Sequence, residues 1–300
     1  MTRAPLPDRS GLAMGFAAYA LWGLLPLYIH ALRAVPPLQF LAHRVLWSLV
    51  LVVVIVLLLR RGGALVAAAR GRTLAMLGLS AALIGVNWTV YIGAVDTGHV
   101  LEASLGYFIT PLVNVALGVA VLGERLRMLQ LAAIAVAAGG VITLALTGGG
   151  ALWISLVLAI SFALYGLVRK VAAIDALGGL TVETVLLGPP AAALLVHASM
   201  QGNAAFGRDS GVDLLLAFAG VATALPLLLF AAAARRLPLV TIGLLQYLAP
   251  SVQFLIAVLV FGERVAPIDW IAFPLIWAGC VIYGYDAVRA ARVALVEPPE

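Results

Sequence analysis

Residues 105–125 read LGYFITPLVNVALGVAVLGER, and residues 245–264 read LQYLAPSVQFLIAVLVFGER. Setting Pro111 against Pro250 also sets Asn114 against Gln253, Gly123 against Gly262, Glu124 against Glu263 and Arg125 against Arg264. The common shift is 139 residues in a chain of 300. A proline, an amide three residues later and Gly-Glu-Arg at twelve make a pattern that two unrelated apolar helices do not share by accident. The chain therefore reads as two related halves. Each copy is apolar for about 20 residues, the length at which a helix rising 1.5 Å per residue crosses a hydrocarbon core about 30 Å thick.

Working outward from this pair, ten nearly uncharged stretches fill the chain: 11–32, 38–59, 73–95, 99–122, 128–147, 151–168, 180–198, 212–234, 239–261 and 267–286. Apolar residues make up 64% of the chain and charged residues 10%, against roughly 25% charged in a soluble domain. Such a surface suits lipid. The expected fold class is thus an all-α integral membrane protein of ten transmembrane helices. A net charge of +5 could suggest nucleic acid, but the arginines are scattered among loops and form no patch, so no nucleic-acid partner is expected. The single Cys280 rules out a disulfide framework or a cysteine-based metal site within one chain. Arg3 and Arg9 ahead of an apolar run resemble a signal peptide. The run is longer than the 7–15 residues of a signal core, so it is expected to stay as the first helix.

Basic residues set the orientation. One alternate set of gaps holds Arg3, Arg9, Arg60, Arg61, Arg70, Arg72, Arg125, Arg127, Arg169, Lys170, Arg235, Arg236, Arg289 and Arg292; the other holds only Arg33, Arg208 and Arg264. Basic residues stay cytoplasmic during insertion, which predicts both termini in the cytoplasm. An even number of spans requires termini on one side, so bias and count agree. Residues 11–147 and 151–288 are the expected repeats, five spans each. An odd number per repeat makes the second enter the membrane from the opposite side. Inverted repeats mark secondary transporters, whose midplane site opens first one way and then the other.

Several runs bear a family resemblance: ALWGLLPLY (20–28), LAHRVLWS (41–48), GHVLEASLGYF (98–108), LGER (122–125), LLQY (244–247) and FGE (261–263). With these the chain resembles the drug/metabolite transporter superfamily, specifically its EamA-type ten-helix exporters and the RarD-like branch among them, over residues 11–288. The resemblance implies a 5+5 inverted-repeat transporter in a bacterial inner (plasma) membrane, exporting small metabolites or drugs. Its partners would be a small-molecule solute, the lipid bilayer and, under antiport, protons.

Ionisable groups inside a membrane cost roughly 2.5–3.5 kcal/mol to insert and are candidate functional groups. His43, Arg44, Glu102 and Glu183 are such groups here, and overlaying the repeats brings Glu183 near the position of His43 and Arg44. A cation of one half could then confront a carboxylate of the other; the alternative is a structural ion pair, or side chains reaching to the interface. Uncharged polar residues form helical stripes: Tyr19, Trp22, Pro26 and His30; Ser80, Asn87 and Tyr91; Tyr107, Thr110 and Asn114; Ser161 and Tyr165; Gln246, Pro250 and Gln253. Stripes facing one another can line a water-filled path, or can simply join helices through hydrogen bonds. The expected pathway residues are Trp22, His43, Arg44, Asn87, Tyr91, Glu102, Tyr107, Asn114, Tyr165, Glu183, Gln246, Tyr247 and Gln253. Asn114 and Gln253 are expected in one central cavity with Tyr107 and Tyr247 beside them. Pro26, Pro111, Pro226 and Pro250 are expected to kink or break their helices. Ala137-Ala-Gly-Gly140 should allow close helix contact, and Gly123 and Gly262 should end their helices.

No phosphate-cradling glycine loop, His-Glu-x-x-His or metal-ligand cluster is present, so neither enzyme activity nor a cofactor is expected. The expected mechanism is alternating access, driven by proton antiport or by the solute gradient. A membrane enzyme acting on lipid-linked substrates remains an alternative, though it calls for titratable residues clustered near one interface. A non-transporting scaffold is another.

Overall fold

The computed structural model describes residues 8–147, 151–262 and 266–296. It is helical, with no strand among the described residues. The helices are α1 (Arg9–Gly23), α2 (Leu25–Ala31), α3 (Pro37–Leu58), α4 (Gly62–Ala68), α5 (Gly71–Asp96), α6 (Val100–Ala120) and α7 (Met128–Thr147) in the first half. The second half holds α8 (Leu152–Val171), α9 (Ala176–Met200), α10 (Ser210–Ala234), α11 (Leu239–Gln246), α12 (Leu248–Leu259) and α13 (Asp269–Val296). Among the described residues, nine helical segments are long and apolar enough to cross a membrane, with α1–α2 and α11–α12 each counted as one. The stretch expected as the tenth span falls in α13, which is not one of those nine. Short α4, between two arginine pairs, has no counterpart among the expected elements.

Side-chain caps fix several starts. Asp8 Oδ1 accepts from Ser10 N at 2.9 Å, Asp175 Oδ1 from Gly178 N at 2.9 Å, and Asp209 Oδ1 from Val212 N at 2.8 Å. Each satisfies an otherwise orphaned donor of the first turn. At the other end, Val121 and Val260 close α6 and α12 with nearly the same backbone, φ −101°, ψ −41° and φ −102°, ψ −45°. Gly123 and Gly262 follow in the left-handed region at φ +66° and +67°, which favours glycine. The repeat is thus present in dihedral angles as well as in letters. Glu263 and Arg264 lie outside the described residues.

Packing repeats the symmetry. Counterparts in the two halves pack on one another: α3 on α9, α6 on α11, and α7 on α13. Crossed pairs also come in twos, α5 with α8 mirrored by α1 with α10, and α6 with α8 mirrored by α1 with α12. A two-fold relation between halves generates this pattern. At the α7–α13 contact, a Cβ on Gly140 would sit 2.6 Å from Ala272 O, and one on Gly279 would sit 2.6 Å from Ala133 O. With lipid as apolar as leucine, such close backbone approach is what holds membrane helices together.

The four expected proline sites divide. The chain breaks at Leu24, ahead of Pro26, and at Tyr247, ahead of Pro250, whereas Pro111 and Pro226 sit inside continuous α6 and α10. Pro26 and Pro250 occupy the first turn of a new helix, where a missing N–H costs no intrahelical bond. Pro189 and Pro190 likewise lie within unbroken α9.

Candidate functional site

Beside the two interruptions lies a cavity of about 390 Å³, walled by both halves. Trp22, Leu25 and Pro26 border it from the first break; Ala249, Pro250 and Gln253 border it from the second. α3 contributes only its first turns, from Pro37 to Arg44, and α5 only its last, from Asn87 to Val95. Arg33 and Val35, between α2 and α3, complete the wall, so the cavity opens toward that loop. Gly23 makes the contact between breaks possible, since a Cβ there would stand 2.6 Å from Val252 Cβ. Gln253 Nε2 donates to Trp22 O at 3.1 Å, capping a carbonyl at the end of α1.

Arg44 is the cation well inside this space. Its Nε donates to Thr223 Oγ1 at 2.9 Å. Its guanidinium carbon lies 5.1 Å from the Trp88 ring centroid and 5.6 Å from that of Phe40, both within cation–π range. Phe40 precedes Arg44 by four residues, one helical turn. No carboxylate among the described residues forms an ion pair with Arg44. Tyr91 and Tyr107 face each other at 5.8 Å with planes at 58°. Deeper in, Tyr19, Trp22 and Phe162 form the floor and pack on buried Phe230 and Tyr165.

Opposite the mouth, the two halves are tied together. Glu124, of the Gly-Glu-Arg motif, accepts from Leu239 N at 2.6 Å and Val240 N at 3.0 Å, capping α11 in the other half. Within the second half, Lys170 Nζ donates to Ala234 O at 3.1 Å and also to Leu237 O. In the same half, Arg235 Nη1 donates to Ala172 O at 2.8 Å and to Ile174 O. Arg61 pairs with Asp175 at 2.7 Å across the halves. Burial alone would raise the Asp175 pKa, but the Gly178 N–H and Arg61 outweigh it and hold the carboxyl below its usual value.

Trp22, Arg44, Asn87, Tyr91, Tyr107, Gln246 and Gln253 line the cavity. Asn114 stands one bond behind the wall: its Nδ2 donates to Gln246 Oε1 at 3.0 Å. Gln246 thus occupies the place expected for Asn114, and the shared Asn114–Gln253 cavity is reached only through it. Tyr247 is buried at the break between α11 and α12, with no partner for its hydroxyl among the described residues. His43 is buried against Phe206, with ring centroids 5.3 Å apart, away from the cavity. Glu102 is buried at the start of α6, where its backbone carbonyl accepts from Ser155 Oγ at 2.6 Å.

Glu183 faces neither His43 nor Arg44. Its cation is Arg169, at 3.4 Å, in a pair whose side chains are 1% and 2% exposed. Ser80 Oγ donates to Glu183 at 2.5 Å and Tyr165 Oη at 3.5 Å, so Tyr165 also belongs to this cluster and not to the cavity wall. Hydropathy ends the span at 168 and leaves Arg169 in a loop; α8 continues to Val171 and carries Arg169 inside. Gly179 makes the room, since a Cβ there would lie 1.5 Å from Arg169 Nη1. The adjacent glycines 178 and 179 were the one sequence sign of a large side chain laid against α9.

Residues 9–146 and 148–285 each match the model of the EamA-like transporter family. The protein RarD of Streptomyces exfoliatus is 46% identical over 97% of this chain and 93% of its own. The protein RarD of Escherichia coli K12 is 42% identical over 95% of this chain and 97% of its own. A solved crystal structure 20% identical in sequence shares the fold with a TM-score of 0.72, over 93% of this chain and 98% of that one. With one family model matching two consecutive segments that together span nearly the whole sequence, the chain belongs to the EamA-like transporter family.

Proposed function

We propose that this membrane transporter is a secondary exporter of small organic solutes, working by alternating access between two inverted repeats of five spans each. On this reading α13 is the tenth span, residues 11–147 and 151–288 are the repeats, and both termini lie in the cytoplasm of a bacterial inner membrane. The observation that carries the reading is the one-sided cavity: open at the Arg33 loop and closed opposite by the contacts of Glu124 and Arg61 with the other half. With the positive-inside assignment, its mouth is periplasmic and its closed face cytoplasmic, an outward-open state. Interruptions on both flanks supply the hinges that rocking of one repeat against the other needs. The pathway is assigned to Trp22, Arg44, Asn87, Tyr91, Tyr107, Gln246 and Gln253, with Asn114 and Tyr247 behind it. Tyr165 and Glu183 are assigned to the scaffold, as are His43 and Glu102.

The test is solute flux in liposomes carrying the purified protein. Saturable flux without ATP is expected, running down a solute or proton gradient. Flux that appears only with ATP hydrolysis sinks the reading, and saturable flux by the isolated chain excludes the scaffold alternative. The lipid-enzyme alternative finds no support in the cavity, whose wall carries no Asp, Glu, His or Cys among the described residues.

A further inference from the structure

The charge inside the cavity is of one sign. Arg44 and Arg33 line it, and among the described residues no aspartate, glutamate or histidine does. Arg44 spends its Nε on Thr223, and among the described residues neither terminal guanidinium nitrogen has a hydrogen-bond acceptor or an ion-pair partner. The free edge is therefore the end-on one, two parallel N–H donors at the spacing of a carboxylate's two oxygens. Trp88 and Phe40 hold the planar group in place by its faces, so little rotamer freedom is left to lose when an anion docks. Elsewhere in this protein a buried arginine is paired, as Arg169 is with Glu183. An arginine left unpaired in a low-dielectric cavity is costly by itself, and a solute that brings the counter-charge removes that cost.

Resting on the transport reading of this same cavity, we infer that the solute is an organic anion: a carboxylate, or a group of like shape, on an aromatic or branched apolar body. The carboxylate docks end-on at Arg44. Tyr91 and Tyr107 offer hydroxyl donors beside it, while Trp22 and Phe162 pack the apolar body. A cavity of about 390 Å³ falls at the small end of those that enclose organic ligands. Amines find no carboxylate among the described residues of the wall and meet two arginines. Neutral amides of the same shape lose the charge-assisted bonds.

The experiment uses three probes of one shape, phenylacetate, phenylacetamide and phenethylamine, titrated against the full-length protein in detergent with thermal stabilisation as readout. Phenylacetate is expected to half-saturate at least about tenfold below both others, the factor that a charge-assisted bidentate contact confers. Arg44→Gln should erase this preference, and Arg44→Lys should keep part of it. The proposal is overturned if the amide or the amine matches phenylacetate, if none of the three stabilises the protein, or if the preference survives Arg44→Gln. The wild-type comparison decides alone should the variants not fold. Flux in liposomes separates the two readings. Anion preference without any flux removes the transport reading and leaves this one, and flux of neutral or cationic solutes without anion preference does the reverse.

Discussion

At the scale of single residues, the contrast between two arginines divides scaffold from pathway. Arg169 is sealed against Glu183, Ser80 and Tyr165 around it, whereas Arg44 has a hydroxyl, two aromatic faces and an open edge. Removing one partner of a buried pair leaves an uncompensated charge, at a cost of about 3–5 kcal/mol. Glu183→Gln is therefore expected to lower the melting midpoint by on the order of 10 °C, measured by thermal unfolding in detergent, and to leave probe selectivity alone. Gly179→Ala should destabilise comparably, because its Cβ would fall on Arg169 Nη1. A Glu183→Gln protein that melts like wild type but loses flux would return Glu183 to the pathway. Sequence exposed Glu183 as an intramembrane carboxylate but not its partner, since Arg169 sits one residue beyond the expected end of its span. The depth of a helix end is set by what the facing helix leaves room for, which hydropathy does not encode.

Among elements, the interruptions carry the most information. The in-span prolines looked alike in sequence, yet only the two bordering the cavity coincide with breaks. Proline makes a break affordable without requiring one; the deciding factor is whether a neighbour satisfies the freed carbonyls, as Gln253 does for Trp22. Sequence therefore located the hinge candidates but could not choose among them. The spans themselves were far more legible, because 20 apolar residues between charges have few other stable forms. Gly23 joins the two breaks, with a Cβ predicted at 2.6 Å from Val252 Cβ and 2.9 Å from its Cγ1. Gly23→Ala should push α1 from α12 and cut flux several-fold, and Val252→Ala should restore it by returning the lost space. Flux unchanged in Gly23→Ala, or no rescue in the double variant, would show that close approach here is not needed for transport.

For the whole molecule, the Gly-Glu-Arg repeat was legible as ancestry and as a helix end, but its glutamate's role crosses between halves and is visible only in three dimensions. Glu124 grips the first amides of α11, and α11 packs on α6, its counterpart in the two-fold arrangement. A carboxylate at a helix start gains from both the free N–H groups and the helix dipole, and hydrogen bonds to a charged group contribute about 1.5–3 kcal/mol each. If the opposite state breaks this grip, Glu124 biases the equilibrium toward the state with a closed cytoplasmic face. Glu124→Ala should then shift the two-state balance inward by roughly tenfold or more. The reporter is a Cys at Ala249, a small residue of the cavity wall, in a Cys280→Ala background. A membrane-impermeant thiol reagent added to right-side-out vesicles should label it readily with Glu124 in place and several-fold more slowly in Glu124→Ala. Inside-out vesicles should show the opposite change. Equal rates in both backgrounds from both sides would make Glu124 a helix cap with no hold on the conformational cycle, and the closing role would fall to the Arg61–Asp175 pair, which also joins the halves on this face.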